Sequence, residues 1–96
     1  MSFPRLPNKG TVLLVDDDPA ILQVLATFLG GQGYCVEKAL DGREALKKLD
    51  DGSYDVVLLD VIMPGLDGLE VLKTVQGRSP RPKVIMMTGS ASLNTV

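Results

Sequence analysis

Three stretches of the chain are apolar runs that each stop on a polar side chain. TVLLV at 11–15 stops at Asp16, Asp17 and Asp18, VVLL at 56–59 stops at Asp60, and VIMM at 84–87 stops at Thr88. Runs of this length, rich in Val, Leu and Ile, predict strands buried on both faces. A fourth stretch, Tyr34 to Ala39, mixes polar and apolar positions, as a strand near a sheet edge does. Helical spacing fills the intervals. Residues 19–29 place Ile21, Leu22, Leu25, Phe28 and Leu29 on one stripe, with an N-cap and proline entry at Asp18-Pro19 and Gly30, Gly31 and Gly33 as the stop. Asp41 and Glu44 have capping-box spacing and open a short helix through Leu46 and Leu49. Asp67 and Glu70 repeat that spacing ahead of Leu69, Leu72 and Val75, and Gly77 with Pro80 and Pro82 closes the helix.

The resulting order is βαβαβαβ. Such alternation with short connections predicts right-handed crossovers and a doubly wound α/β fold, a parallel sheet of about four strands with three to four helices on its two faces. The first ten residues, with Pro4 and Pro7, read as an irregular leader, and 11–96 as one domain.

Composition narrows the function. The 96 residues carry 12 acidic and 10 basic side chains, a net charge of −2, with no basic run to form a nucleic-acid footprint. No apolar stretch reaches the ~18 residues of a membrane span, and the N-terminus lacks a signal-peptide pattern, so the expected location is the cytoplasm. With no histidine, imidazole catalysis within the chain is excluded. The single cysteine, Cys35, has no internal disulfide partner and reads as a small buried hydrophobe, and Met86 and Met87 read as core filler.

Candidate chemistry gathers where the apolar runs end. In open α/β sheets, ligands sit beyond the carboxyl ends of the strands, near the point where strand order reverses. If the first and third strands are neighbours, Asp16, Asp17 and Asp60 converge there. Two carboxylates about 4 Å apart repel by roughly 4 kcal/mol at an effective dielectric of 20, a cost that a cation or a proton relieves. Oxygen-only ligands with room for water suit Mg²⁺, and Asp60 could also serve as a nucleophile that forms an aspartyl phosphate. From the residues alone, a shared metal site and solvated loop carboxylates both stand, whereas Asp18, Asp41 and Asp67 are most simply helix caps.

Three segments taken together, VLLVDDDPAIL, DVVLLDVIMPGLDGLEVL and KVIMMTGSA, resemble the receiver domain of bacterial two-component response regulators, in the family's order and spacing. The resemblance implies a flavodoxin-like fold and a phosphorylation switch. Asp60 matches the phosphoacceptor, which takes a phosphoryl group from a phosphohistidine on a sensor histidine kinase or phosphotransfer protein. Asp16 and Asp17 match the acidic pair that holds Mg²⁺, completed by Asp60 and the backbone carbonyl of Ile62. Thr88 matches the hydroxyl residue that contacts the phosphoryl group, and Gly89 the small residue beside it.

Against that family the chain is short. Residues 11–96 supply four strands and three helices of a fold that has five of each. The lysine that follows the fifth strand in relatives has no counterpart, and Lys83 falls at the opposite end of the fourth run. The fourth strand, left as an edge, is expected to favour self-association. Two other readings compete with a working phosphoacceptor: a receiver that acts only as an interaction module, and a Mg²⁺-dependent aspartyl-phosphate phosphohydrolase. Hydrolases of that kind carry a second Asp two residues after the nucleophile, and here that position is Ile62. The chain is therefore expected to be a signalling domain rather than an enzyme.

Overall fold

The structure is a computed structural model and describes residues 9–60, 68–79 and 81–87. Four strands, β1 (Thr11–Val15), β2 (Cys35–Ala39), β3 (Val56–Asp60) and β4 (Lys83–Met87), alternate with three helices, α1 (Pro19–Gly31), α2 (Gly42–Asp51) and α3 (Gly68–Gln76). All strand pairs are parallel and the order is β2-β1-β3-β4. The doubly wound flavodoxin-like architecture follows, and its strand order reverses between β1 and β3. No helix among the described residues is long and apolar enough to cross a membrane.

Both faces of the sheet are packed, unequally. On one, α2 and α3 close over Leu13, Val15, Ala39, Val57 and Leu59, with Ala45, Leu49, Val71 and Val75 as the helical side of the cluster. On the other, Leu22 of α1 meets Val12 and Leu14, and Leu25, Ala26 and Leu29 pack around them. Alternation along β1 sends Leu13 and Val15 to the first face and Val12 and Leu14 to the second, which is why that strand is apolar from Val12 to Val15.

Two of the expected helix entries are present in full atomic detail. The Asp18 carboxylate accepts from the Ala20 N–H at 2.9 Å, with Pro19 opening α1. Asp41 accepts from the Glu44 N–H at 2.8 Å, while the Glu44 carboxylate accepts from the Leu40 N–H at 2.7 Å, one residue earlier than an ideal capping box. The proposed cap at Asp67 lies outside the described residues.

Several expectations are corrected. Helix α1 runs through Gly30 and Gly31 and ends at Gln32, whose N–H reaches back to the carbonyls of Phe28 and Leu29. The reversal into β2 is made by Gly33 at φ +104, a region open to glycine. On α1 the buried stripe is Leu22 with Leu25, Ala26 and Leu29, whereas Ile21 and Phe28 lie on the exposed side with Val24. The helix is apolar almost all round, so spacing alone could not say which stripe faces the sheet. Cys35 is exposed rather than buried, because β2 is an edge strand and the first position of its ladder faces outward. Strand β4 is not buried on both sides: Ile85 and Met86 are exposed, and Met87 is only half-buried. Among the described residues it is the other edge, so Met86 is surface rather than core filler.

Candidate functional site

Strand register brings the aspartates together. Val15 lies opposite Leu59 in the β1–β3 ladder, so the residues that follow, Asp16 and Asp60, leave the sheet side by side at its carboxyl edge. Asp16 continues the other ladder as well, its N–H donating to the Ala39 carbonyl at 3.1 Å. Asp16, Asp17 and Asp60 each offer a carboxylate oxygen, and these oxygens lie within 4.8 Å of one another. Two of the three are withdrawn from solvent: Asp16 is 4% exposed and Asp60 5%. They are the buried charged residues among those described. Asp17 is exposed and forms the open side of the cluster.

Backbone geometry orients Asp16. Its Oδ1 accepts from the Asp18 N–H at 2.9 Å, an aspartate turn across two residues that the Asp-x-Asp spacing could have signalled. Burial pushes the Asp16 carboxyl above its ordinary value of 3.8; the Asp18 N–H opposes this, and the charges of Asp60, Asp17 and Asp18 add to the rise. Desolvation of the charged form is the largest cause, and the charges named around it are all negative. The donor set is all oxygen, the charge is concentrated and one side is open, which is the chemistry of a hard divalent cation that keeps water ligands.

Of the other residues expected here, Ile62, Thr88 and Gly89 lie outside the described residues. Two lysines lie away from the cluster. Lys83 pairs with Val56 at the opposite end of β3, four residues or about 13 Å from Asp60. Lys48 turns to β2, donating to the Lys38 carbonyl at 2.6 Å and pairing with Glu37 at 3.3 Å.

Comparison with known proteins agrees with this geometry. The profile of the family described as "Response regulator receiver domain" matches residues 12–96. The chain belongs to the response regulator receiver family.

The receiver is 37% identical over 81 residues to the transcriptional regulatory protein ResD of Bacillus subtilis, covering 84% of this chain and 33% of ResD. It is 49% identical over 77 residues to the CpxR homolog of Haemophilus influenzae, covering 80% of this chain and 33% of that protein. The chain thus spans about a third of the length of these curated relatives. Among solved structures, it is similar to the response regulator TrrA of Thermotoga maritima, solved in complex with Mg²⁺-BeF, with a TM-score of 0.77 and 39% identity over 88% of this chain and 74% of that one. The chemotaxis response regulator CheY4 of Vibrio cholerae gives a TM-score of 0.77 at 40% identity, covering 85% of this chain and 70% of that one. Receiver domains are phosphoacceptor signalling domains that bind Mg²⁺ at an acidic pocket and interact with histidine kinases or phosphotransfer proteins, and the cluster at the β1–β3 switch point fits such a pocket.

Proposed function

We propose that Asp60 is the phosphoacceptor of this receiver and that Asp16 and Asp17 form its metal pair. The observation that carries the assignment is the convergence of three carboxylate oxygens within 4.8 Å, two of them on buried residues, where the strand order reverses. The phosphodonor, as in the receiver family, is a phosphohistidine on a sensor histidine kinase or phosphotransfer protein. A carboxylate oxygen of Asp60 attacks phosphorus, the P–N bond of the donor breaks, and the imidazole leaves with its electron pair and takes up a proton. Asp60 stands at the last position of β3, and the Asp18 N–H fixes the rotation of Asp16, which supports this reading.

Mg²⁺, held by Asp16, Asp17 and Asp60 and by the Ile62 carbonyl, would neutralise the −1.5 to −2 charge that a phosphoryl group brings. Thr88 is assigned the hydroxyl contact to the phosphoryl group, and Gly89 the open space beside it. We read residues 1–10 as an irregular leader and 11–96 as receiver sequence, acting in the cytoplasm as a signalling domain and promoting at most its own phosphorylation and dephosphorylation.

The test is incubation of the chain with Mg²⁺ and acetyl phosphate, followed by intact mass, with Asp60→Asn as control. A gain of one phosphoryl group by the parent alone supports the assignment. Transfer to both proteins removes Asp60 as acceptor, and continuous turnover of a generic phosphomonoester would favour the hydrolase. No transfer, together with no thermal shift from Mg²⁺ and beryllofluoride, would leave the interaction module.

A further inference from the structure

Asp18 joins two sets of hydrogen bonds. Its N–H donates to Asp16 Oδ1 at 2.9 Å, and its own carboxylate accepts from the Ala20 N–H at 2.9 Å. Its carbonyl accepts from the Leu22 N–H at 3.1 Å, inside the first turn of α1. The main chain of this residue thus holds a buried acid of the site while its side chain holds the entry of a helix. Asp18 is exposed, and it is not one of the three acids whose oxygens converge.

The aim of the Asp18 N–H depends on rotation about the bond between N and Cα, the angle φ. Pro19 disfavours the helical region for the residue before it, and Asp18 is accordingly extended, at φ −99 and ψ 108. The extended region still spans φ from about −60° to −160°. Rotation through that range swings the N–H away from Oδ1. The bond from the Ala20 N–H to the Asp18 carboxylate narrows the range, because the side chain reaches that donor from a small set of backbone angles. Just beyond, α1 is pinned to the sheet by Leu22, which is 2% exposed.

We propose that Asp18 is a positioning residue for the cation: by capping α1, its carboxylate fixes the peptide whose N–H sets the rotation of Asp16. The inference rests on the reading of Asp16 as a metal ligand and adds a residue outside the ligand set. A cation then meets a ligand already ordered, and less binding energy is lost in ordering it. A cap of ordinary strength limits the effect to about fivefold in affinity. The coupling is reciprocal, so a bound cation steadies the first turn of α1 by the same factor.

Charge alone would also make Asp18 favour a cation, and substitution separates the two effects. Asp18→Asn and Asp18→Ser remove the charge and keep an acceptor for the Ala20 N–H, whereas Asp18→Ala removes both. Asp18→Gly also removes both, costs a helix entry little, and frees φ most. Asp41 is the control: it caps α2 by the same kind of bond, at 2.8 Å from the Glu44 N–H, and its carbonyl accepts from Ala45 in that same helix.

The experiment is an NMR titration of the isotope-labelled 96-residue chain with Mg²⁺ at fixed ionic strength, with amide exchange measured at both ends of the titration. Asp18→Asn and Asp18→Ser should bind alike, and Asp18→Ala and Asp18→Gly about threefold to fivefold more weakly than either. Asp41→Ala and Asp41→Asn should have equal affinities although the first is less stable. In the parent, Mg²⁺ should slow exchange of the Ala20 amide by about the same threefold to fivefold, and in Asp18→Gly it should not. Equal affinities of Asp18→Ala, Asp18→Gly and Asp18→Asn would reduce the residue to its charge and overturn the proposal. So would an equal weakening by Asp41→Ala, which would trace the effect to general stability. A parent that takes up no Mg²⁺ overturns the metal pair itself and this inference with it, a failure distinguished by its appearance before any substitution. Asp18→Gly and the exchange rates of the parent carry the test even where Asp18→Ala fails to fold.

Discussion

Replacing Asp16 with asparagine should stabilise the metal-free protein, although it removes a side chain from the site. The carboxylate oxygens of Asp16 and Asp60 lie within 4.8 Å, and both residues are about 95% buried. At an effective dielectric of about 20, two unit charges at that distance repel by roughly 3.5 kcal/mol, and in bulk water by less than about 1 kcal/mol. The buried pair lies toward the first limit, and the pairs with exposed Asp17 toward the second. Asparagine is nearly isosteric and keeps an Oδ1 to accept from the Asp18 N–H, so the turn that Asp16 makes is preserved. After allowance for solvent screening, the gain should be about 1–2 kcal/mol. For a domain of this size that is a rise in melting temperature of about 5–15 °C. The assay is thermal unfolding by circular dichroism in EDTA at low ionic strength, repeated with saturating Mg²⁺. A cation at 100 times its dissociation constant adds about 2.7 kcal/mol to the parent, and the variant, with one ligand fewer, should gain much less. The sign with pH follows from the raised Asp16 carboxyl. The stability tied to its proton is fully present below the ordinary value of 3.8 and is lost as pH rises through the raised value, so parent and variant should converge as pH falls toward 3.8. A variant that melts below the parent in EDTA, or an equal response of both proteins to Mg²⁺, would refute this reasoning.

Substitutions at four further positions test the frame around the site. Arg78 donates to the carbonyls of Leu49 and Gly52 at the end of α2 and lies 3.7 Å from Asp50, so Arg78→Ala should cost about 1–2 kcal/mol, read as a lower urea midpoint at unchanged slope. Asp41→Ala removes the N-cap of α2 and should cost about 1 kcal/mol in the same titration, while Asp41→Asn should be nearly neutral. On α1, Leu22→Ala should cost about 2–4 kcal/mol and Phe28→Ser less than about 0.5, because Leu22 is buried and Phe28 is 60% exposed; similar losses at both positions would contradict the packing described.

Much of this molecule was legible in its pattern of residues, and the exceptions have physical reasons. The run Val12–Val15 marks β1 because a strand covered on both faces has no polar position to spare, and the mixed Tyr34–Ala39 stretch marks an edge for the converse reason. The aspartates at the strand ends could be placed on one edge as soon as the strands were taken as parallel. Helix α1 defeated the same logic. With Ile21, Leu22, Val24, Leu25, Phe28 and Leu29 all apolar, its periodicity does not distinguish the stripe on the sheet from the stripe in solvent. Arg78 left no signal at all, since its partners are main-chain carbonyls 26 and 29 positions away, and a carbonyl carries no residue identity. The contact from Asp18 to Asp16 was missed because Asp18 had already been assigned as a cap, and it fills both roles, its carboxylate toward Ala20 and its N–H toward Asp16.

The alignment of Val15 with Leu59 has a consequence for how the site can be lost. Both buried carboxylates hang directly from the ends of central strands, so no hinge or lid separates their spacing from that of the main chain. A slip of one position between β1 and β3 would carry Asp60 about 3.3 Å along the strand and turn its side chain to the other face. Cation affinity therefore belongs only to molecules whose central strands are in register, and partly ordered or misaligned states have none. A cation bound there would favour one strand alignment over its neighbours and so act as a check on folding.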